Sequence, residues 1–225
     1  KKKVILGNGS LNFHNTGGAR EIYDPVNNIR RPAVLQDVRD STKLLDALEN
    51  CTVITPFFTP QDVPGELMAL AMYRNALPYT TKPVDGPGVL TVDEVDFMLK
   101  MAEVVGDKTF SISLSPISPL RFSDELTAAM MAAARKGIFV SPLPCPTGGA
   151  TAPFTVAGGL SQQNAEVLAG IVLIQLVNPG LPVEYNGRLA MMDPKTAMVS
   201  SGIIDAIVAA GTVQIGHYYG LPVDV

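Results

Sequence analysis

The sequence predicts an α/β fold, a partial TIM (β/α)8 barrel of about six βα units preceded by a β-hairpin or small meander. Three observations carry that prediction. Short β-type runs alternate with helical segments along most of the 225 residues. The helical segments are bounded by capping residues at their starts and glycines at their ends. A hydrophobic share of 47% against 17% charged residues is enough for a substantial core. Alternating strands and helices indicate a parallel sheet, and the barrel is its commonest closed form. Six units would leave two sheet edges open, which natural proteins avoid, so the chain reads as part of a longer barrel. An open doubly wound sheet is the structural alternative.

Residues 1–34 form the preamble, with β-type runs at 4–6, 11–13 and 21–23 between Gly- and Asn-rich turns. The incomplete barrel occupies 35–225. Leu35, Val38, Leu45 and Leu48 share one face of its first helix. A strand follows at 51–56, then a helix over 64–76 with Pro64 in its first turn. Residues 82–85 make a second, short strand. Thr91-Val92-Asp93-Glu94 is a capping box opening a helix that turns Val95, Met98, Leu99 and Ala102 inward, and Gly106 closes it. Residues 109–114 make strand three. Ser123 caps the next helix, Asp124 and Glu125 suit its N-terminal dipole, and Gly137 ends it before a strand at 138–143. A glycine-rich turn then leads into a long helix ending at Val177. A strand at 182–185, a helix at 200–219 weakened by Gly202 and Gly211, and a strand at 221–225 complete the series.

Composition excludes several classes. A net charge of −4 with scattered Lys and Arg gives no footprint for nucleic acid. The apolar run around 171–174 is interrupted by Glu166 and Gln175 and falls short of the roughly 20 residues of a membrane span, so no membrane anchor is expected. Lys1, Lys2 and Lys3 imitate the start of a signal peptide, but the apolar stretch behind them stops at Gly7. Cys51 falls at the start of one predicted strand and Cys145 at the exit of another, which disfavours a disulfide and predicts a reducing, cytoplasmic setting. Two Cys and two His without metal-ligand spacing predict no protein-bound metal.

Alternation within barrel strands sorts side chains between lumen and helices. Ser111, Ser113 and Ser115 share a face, and Asp85, Ser141, Glu184 and Asp224 turn inward by the same rule. The C-terminal strand ends, where barrel sites lie, select Phe57, Phe58 and Thr59, Asp85 and Gly86, 115–121, 144–151 and 185–187. Carboxylates in a low-dielectric lumen require a proton, hydrogen bonds or a cation, and a cationic substrate would supply the last. Phe57, Phe58 and Tyr185 would face such an ammonium with their rings. The turn Gly148, Gly149, Ala150 and Thr151 would let backbone N–H groups approach a ligand, with a helix dipole behind. Plainer readings stand beside these. The phenylalanines could be core, Arg121 a partner of Asp124, the glycine turn a packing device, His217 a helix C-terminal cation, and Met130, Met131, Met191 and Met192 core fillers. No nucleophile, histidine and acid can be assembled, and Cys145 has no partner base, so no catalytic residue is assigned.

The string Gly148-Gly149-Ala150-Thr151-Ala152-Pro153, followed by Gln163-Asn164-Ala165-Glu166-Val167-Leu168-Ala169-Gly170 and then Val177-Asn178-Pro179-Gly180, resembles the trimethylamine:corrinoid methyltransferase family. The resemblance covers nearly the whole chain, and the family is about twice this length. It implies methyl transfer from a methylated amine (trimethylamine, glycine betaine or similar) to the Co(I) corrinoid (cobalamin) of a partner protein, a reaction of one-carbon metabolism and methanogenesis. Under it, Phe57, Phe58, Asp85, Ser113, Ser115, Arg121, Glu184 and Tyr185 become the substrate-binding residues, with Arg121 as clamp for a betaine carboxylate. Gly148, Gly149, Ala150 and Thr151 become a corrinoid-facing loop. Some members carry pyrrolysine at a position falling beyond Val225, so the branch stays open. Glu184 and Asn186-Gly187 depart from the family's apolar-Tyr-Gly pattern. An unrelated TIM-barrel enzyme binding phosphate at the Gly148 loop, and a non-catalytic binder of quaternary amines, remain as alternatives. Homo-oligomerisation is left open.

Overall fold

The computed structural model describes residues 1–7, 9–86, 88–107, 111–200 and 202–225. Helices and strands alternate along the chain, and the sheets are short and open. The chain divides into two units, Lys1–Ile112 and Ser113–Val225.

In the first unit β1 (Phe13–His14) pairs in parallel with β4 (Cys51–Val53). Ile54 carries the parallel pairing on to Val84. β2 (Glu21–Asp24) and β3 (Ile29–Pro32) form an antiparallel hairpin, whose turn is held by Asp24 accepting from the N–H groups of Val26 (2.9 Å) and Asn27 (3.1 Å). α1 (Leu35–Ala47) starts where Asp37 reaches back to the Val34 N–H at 2.8 Å. The same carboxylate takes both nitrogens of the Arg31 fork at 2.8 Å, tying hairpin to helix. Buried Lys82 donates to the carbonyls of Leu45 and Leu48 at the end of α1, a cationic C-cap. α2 (Met68–Ala76) follows a single 3₁₀ turn. The Thr91/Glu94 capping box opens α3 (Val92–Val104), and Gly106 ends it at φ 68°.

β5 (Ser111–Leu114) enters the second unit beside β6 (Phe139–Pro142), with α4 (Asp124–Arg135) between them in sequence. Ser123 caps α4, and Gly137 at φ 72° releases the chain into β6. β7 (Thr147–Gly148) precedes α5 (Val156–Val177), which is capped by Thr155. β8 (Tyr185–Asn186) pairs in parallel with β11 (Val223–Asp224). β9 (Ala190–Met192) lies parallel to β7 and antiparallel to β10 (Val199–Ser200). α6 (Ile203–Tyr218) joins β10 to β11.

Several elements differ from the sequence reading. Residues 4–6 are not a strand: Ile5 is exposed, and the Lys2 N–H donates to Thr81 instead. The 11–13 run shifts to Phe13–His14, and its partner is β4, not the hairpin. The strand at 182–185 moves to Tyr185–Asn186, downstream of the donor-less Pro182. Gly202 is the N-cap of α6 at φ 120°, not an interior weak point. The β7–β9–β10 sheet has no counterpart among the strands the sequence predicts. Residues 109 and 110 of the predicted third strand lie outside the described residues. α5 also differs, because its 22 residues are long and apolar enough to cross a membrane by length and composition. In this fold its polar side chains are hydrogen-bonded within the second unit.

Glycines set the helix packing there. A Cβ on Gly170 would lie 2.7 Å from Cβ and Cγ of Pro142, so α5 rests directly on β6. Gly216 likewise lets α6 approach Val223 and Tyr185. Gly170→Ala would gain about 1 kcal/mol of helix propensity but would press on a rigid ring, at about 1–3 kcal/mol. We expect a net loss of up to about 2 kcal/mol in denaturant unfolding, and a net gain would show that this contact relaxes freely. In the first unit, Arg31 holds the Asp37 carboxyl below its usual range. A carboxyl lowered in the folded state contributes stability above its unfolded pKa of about 3.9 and loses it as pH falls through the folded value. Asp37→Asn should therefore cost about 1–2 kcal/mol at neutral pH. The gap should close in acid, and a gap unchanged between pH 7 and about pH 2 in parallel urea titrations would refute the pairing.

Candidate functional site

Polar side chains of the second unit gather at its strand ends. Glu184, 8% exposed, immediately precedes β8, and Ser141, fully buried, comes from β6. The Ser141 hydroxyl donates to Glu184 Oε1 and accepts from Asn186 Nδ2 at 2.6 Å. Asn186 Nδ2 also donates to Glu184 Oε1 at 3.2 Å. Residues 184 and 186 share a face because strand side chains alternate, so one serine meets both. Two neutral donors thus converge on one carboxylate oxygen.

Further along the same strand ends, Arg188 Nη2 donates to both carboxylate oxygens of Asp224 at 2.8 Å. The β8–β11 register sets Asp224 opposite Asn186. The Arg188 N–H donates to the Pro144 carbonyl at 3.1 Å, fastening this segment to the exit of β6. Cys145 follows there. The residue is exposed, yet its thiol turns back over the Leu143 carbonyl at 3.8 Å. Desolvation pushes that thiol up, against the smaller opposing pull of Arg188.

α5 supplies a second buried carboxylate. Glu166, 1% exposed, accepts from Ser118 Oγ (2.8 Å), the Leu120 N–H (2.9 Å) and Gln162 Nε2 (3.0 Å). The loop after β5 is thereby pinned onto the helix. It folds on itself through two backbone bonds between Ile117 and Arg121, with Leu120 at φ 55°. One turn from Glu166, Gln163 bridges Thr212 of α6 (3.0 Å) and the Leu189 N–H (2.7 Å).

The residues expected from sequence fall into separate settings. Phe57, Phe58 and Asp85 belong to the first unit; Ser113, Ser115, Arg121, Glu184, Tyr185 and the Gly148 turn belong to the second. Phe57 and Phe58 meet edge to face at 4.8 Å and pack with Ala33, Val38, Ala19 and Ile22. Asp85 accepts from Ser111 Oγ at 2.8 Å, and the Ser111 carbonyl accepts from buried Tyr73 at 3.2 Å. Burial pushes that tyrosine well up. Ser113 is buried, whereas Ser115 and Arg121 are exposed. Tyr185 faces away from Glu184, into a helix-side cluster with Val167 and Ile171. Its hydroxyl donates to Asn164 at 3.1 Å, and burial followed by the neighbouring Tyr219 pushes it up to about 12.

The glycine turn differs most from expectation. The N–H groups of Ala150, Thr151 and Ala152 all donate to the Thr147 carbonyl (2.8 to 3.0 Å), and Gly149 donates to Ala152 (2.9 Å). Those donors are consumed inside the turn, which leaves no nest of N–H groups for phosphate. Nor does the dipole of α5 begin there, since the helix starts at Val156 behind its own Thr155 cap. The sequence reading includes Asn186 only within the 185–187 strand end, and it passes over Glu166 and Arg188 as site residues. The signals were present: Gln162, Gln163, Asn164 and Glu166 interrupt an otherwise apolar helix, and Arg188 and Lys195 are the only Lys or Arg residues after Lys136. Among the described residues, no group of three His, Cys, Asp or Glu is placed to hold a metal ion.

An α/β layer with short parallel pairings and polar groups at the strand ends is the arrangement of α/β proteins that work at the mouth of a sheet or barrel. The chain belongs to the trimethylamine methyltransferase family: the family described as Trimethylamine methyltransferase (MTTB) matches residues 1–225. It is 30% identical over 231 residues to a glycine betaine methyltransferase of Desulfitobacterium hafniense, covering 99% of this chain and 48% of that protein. It is 32% identical over 232 residues to a trimethylamine methyltransferase of the same species, covering 99% and 46%. A trimethylamine methyltransferase of Methanosarcina thermophila is 33% identical over 205 residues, covering 84% and 41%. The chain thus spans about half the length of the curated relatives it matches.

The Glu166 cradle is open to test. Glu166→Ala removes the acceptor of a backbone N–H held in a left-handed conformation, a loss of about 1–3 kcal/mol. Hydrogen exchange at the Leu120 amide should accelerate about tenfold or more, while amides in the middle of α5 stay protected. Unchanged protection at Leu120 would show that the loop does not depend on this carboxylate.

Proposed function

We propose that the protein moves a methyl group from a methylated amine, such as trimethylamine or glycine betaine, to the Co(I) corrinoid of a partner protein. The carrying observation is the buried Ser141–Glu184–Asn186 cluster at the strand ends of a chain in this family. A cationic amine beside Glu184 is attracted by a carboxylate held in one place by two neutral donors. Transfer then requires chiefly that one methyl be pointed at its acceptor, a demand met by orientation and exclusion of water. The corrinoid, as methyl acceptor, supplies the nucleophile. Ser113, buried on β5 next to β6, is proposed to face the same substrate, and Arg121, on the loop pinned by Glu166, is the proposed clamp for a substrate carboxylate. Ser115 is the remaining proposed substrate contact of the second unit; Phe57, Phe58 and Asp85, in the first unit, and Tyr185, turned to the helix-side cluster, are not carried into it.

The turn Gly148, Gly149, Ala150 and Thr151 is proposed to face the corrinoid. Its fit is one of shape: a self-bonded turn of small residues offers contact area to a broad ring and few hydrogen-bond donors. We read the fold as about six βα units of a (β/α)8 barrel over 35–225 with a hairpin preamble over 1–34. The parallel pairings Ile54–Val84, β7–β9 and β8–β11 support that reading. A cytoplasmic setting is proposed as well, supported by the two free cysteines.

In the full-length protein, Glu184→Gln should lower amine-dependent kcat/KM about 10- to 100-fold, mostly through KM, because a charge-assisted contact of about 1.5–3 kcal/mol is lost. The readout is loss of the Co(I) spectrum of the partner on adding amine. A variant as active as the wild type would place the amine elsewhere.

A further inference from the structure

The Asn186 side chain is more constrained than its role as a neighbour of Glu184 requires. It is fully buried, and its Nδ2 is committed to Ser141 Oγ (2.6 Å) and Glu184 Oε1 (3.2 Å). Those bonds fix the amide. Turning it over would set its oxygen against a carboxylate oxygen and would deprive the serine hydroxyl, whose proton goes to Glu184, of its donor. Held this way, Asn186 Oδ1 is a buried acceptor with no hydrogen-bond partner among the described residues. Native folds rarely leave such an atom without a reason, because each one costs about 1–3 kcal/mol.

We infer that Asn186 is a specificity residue that reads an N–H on the substrate nitrogen, so that the site takes a protonated amine carrying one hydrogen in preference to a quaternary ammonium. The inference rests on the amine reading of the Glu184 site and narrows it. A protonated tertiary amine has one N–H donor and a full positive charge. Its hydrogen satisfies Asn186 Oδ1, while its charge lies beside the carboxylate that Asn186 Nδ2 holds. One contact then orients the whole cation, with the N–H directed to the strand and the methyl groups turned away from it, where transfer must occur. A quaternary ammonium of the same charge puts a fourth methyl where the hydrogen belongs and leaves the acceptor unpaired. Charge attraction to Glu184 acts on both cations alike, so discrimination falls to the amide oxygen. A site built to accept a hydrogen bond rejects an analogue lacking the donor more strongly than an apolar pocket rejects an extra methyl.

The test is calorimetric titration of the full-length protein at neutral pH with trimethylammonium chloride and with tetramethylammonium chloride, which differ by one methyl for one hydrogen. Trimethylammonium should bind about tenfold or more tightly. Asn186→Leu should bring the ratio to about one, and so should Asn186→Ala, which removes the same acceptor with a smaller side chain. Thermal melts confirm that each variant is folded, and if Asn186→Leu is not, wild type and Asn186→Ala carry the comparison. Equal affinity in the wild type, or tighter binding of tetramethylammonium, overturns the inference and leaves the amine reading standing. Failure of both cations to bind a folded protein overturns the amine reading and the inference together.

Discussion

Glu184 brings a carboxylate into the second unit at 8% exposure, and the register of the strands around it follows from that placement. A buried carboxylate needs donors, and it finds them in Ser141 on β6 and in Asn186 two residues along its own strand. Alternation then fixes everything between. Tyr185 must turn to the helices, where it packs on Val167 and Ile171 and stacks on Tyr219 at 6.3 Å. A slip of one residue would drive the tyrosine into the polar cluster and the carboxylate against two aliphatic side chains. Each of these faces forbids the wrong register of the other.

α5 solves the matching problem on the helix side. Its sequence is apolar nearly all round, which in isolation gives no preferred face. Orientation comes from a few polar residues whose partners lie far away in sequence. Gln163 spans α6 and the segment after β8, Glu166 holds the loop after β5, and Asn178 at the C-terminus donates to the Ala134 carbonyl at 2.8 Å. Glycines let the helix approach at these points: a Cβ on Gly187 would lie 2.3 Å from Gln163 Nε2. Small residues and buried amides together give a nearly uniform apolar rod one rotational setting.

Local signals in the sequence are legible because their physics is local. The capping box at Thr91, the Ser123 cap, and the stops at Gly106 and Gly137 involve groups within a few residues of each other, and the helices they bound lie where expected. Strands of two or three residues carry too little periodicity to be seen. β7, β9 and β10 carry no such signal, and Met191 and Met192 there are indistinguishable by sequence from core fillers. The burial of Glu184 and Ser141 was legible from alternation, since both stand in apolar stretches. The direction of Tyr185 follows from the same rule applied one residue on. Glu166 and Arg188 were not legible as a site, and Asn186 was legible only as part of a strand end, because what distinguishes them is a partner 36 to 48 residues away.

The glycine turn shows how a sequence signal can be real and its first physical interpretation mistaken. Glycines before a helix suggest open N–H groups for an anion, yet Gly149, at φ 91°, instead lets the chain double back so that the Thr147 carbonyl collects three N–H groups at once. A turn with its donors spent is poor at binding phosphate and good at holding its shape. Gly148 approaches the Met191 thioether so closely that an added Cβ would lie 2.5 Å from the sulfur, which sets β7 tightly on β9. A fixed, compact turn of small residues suits contact with a broad ring. The corrinoid-facing role proposed for this turn therefore draws its support from the same internal bonds that count against phosphate.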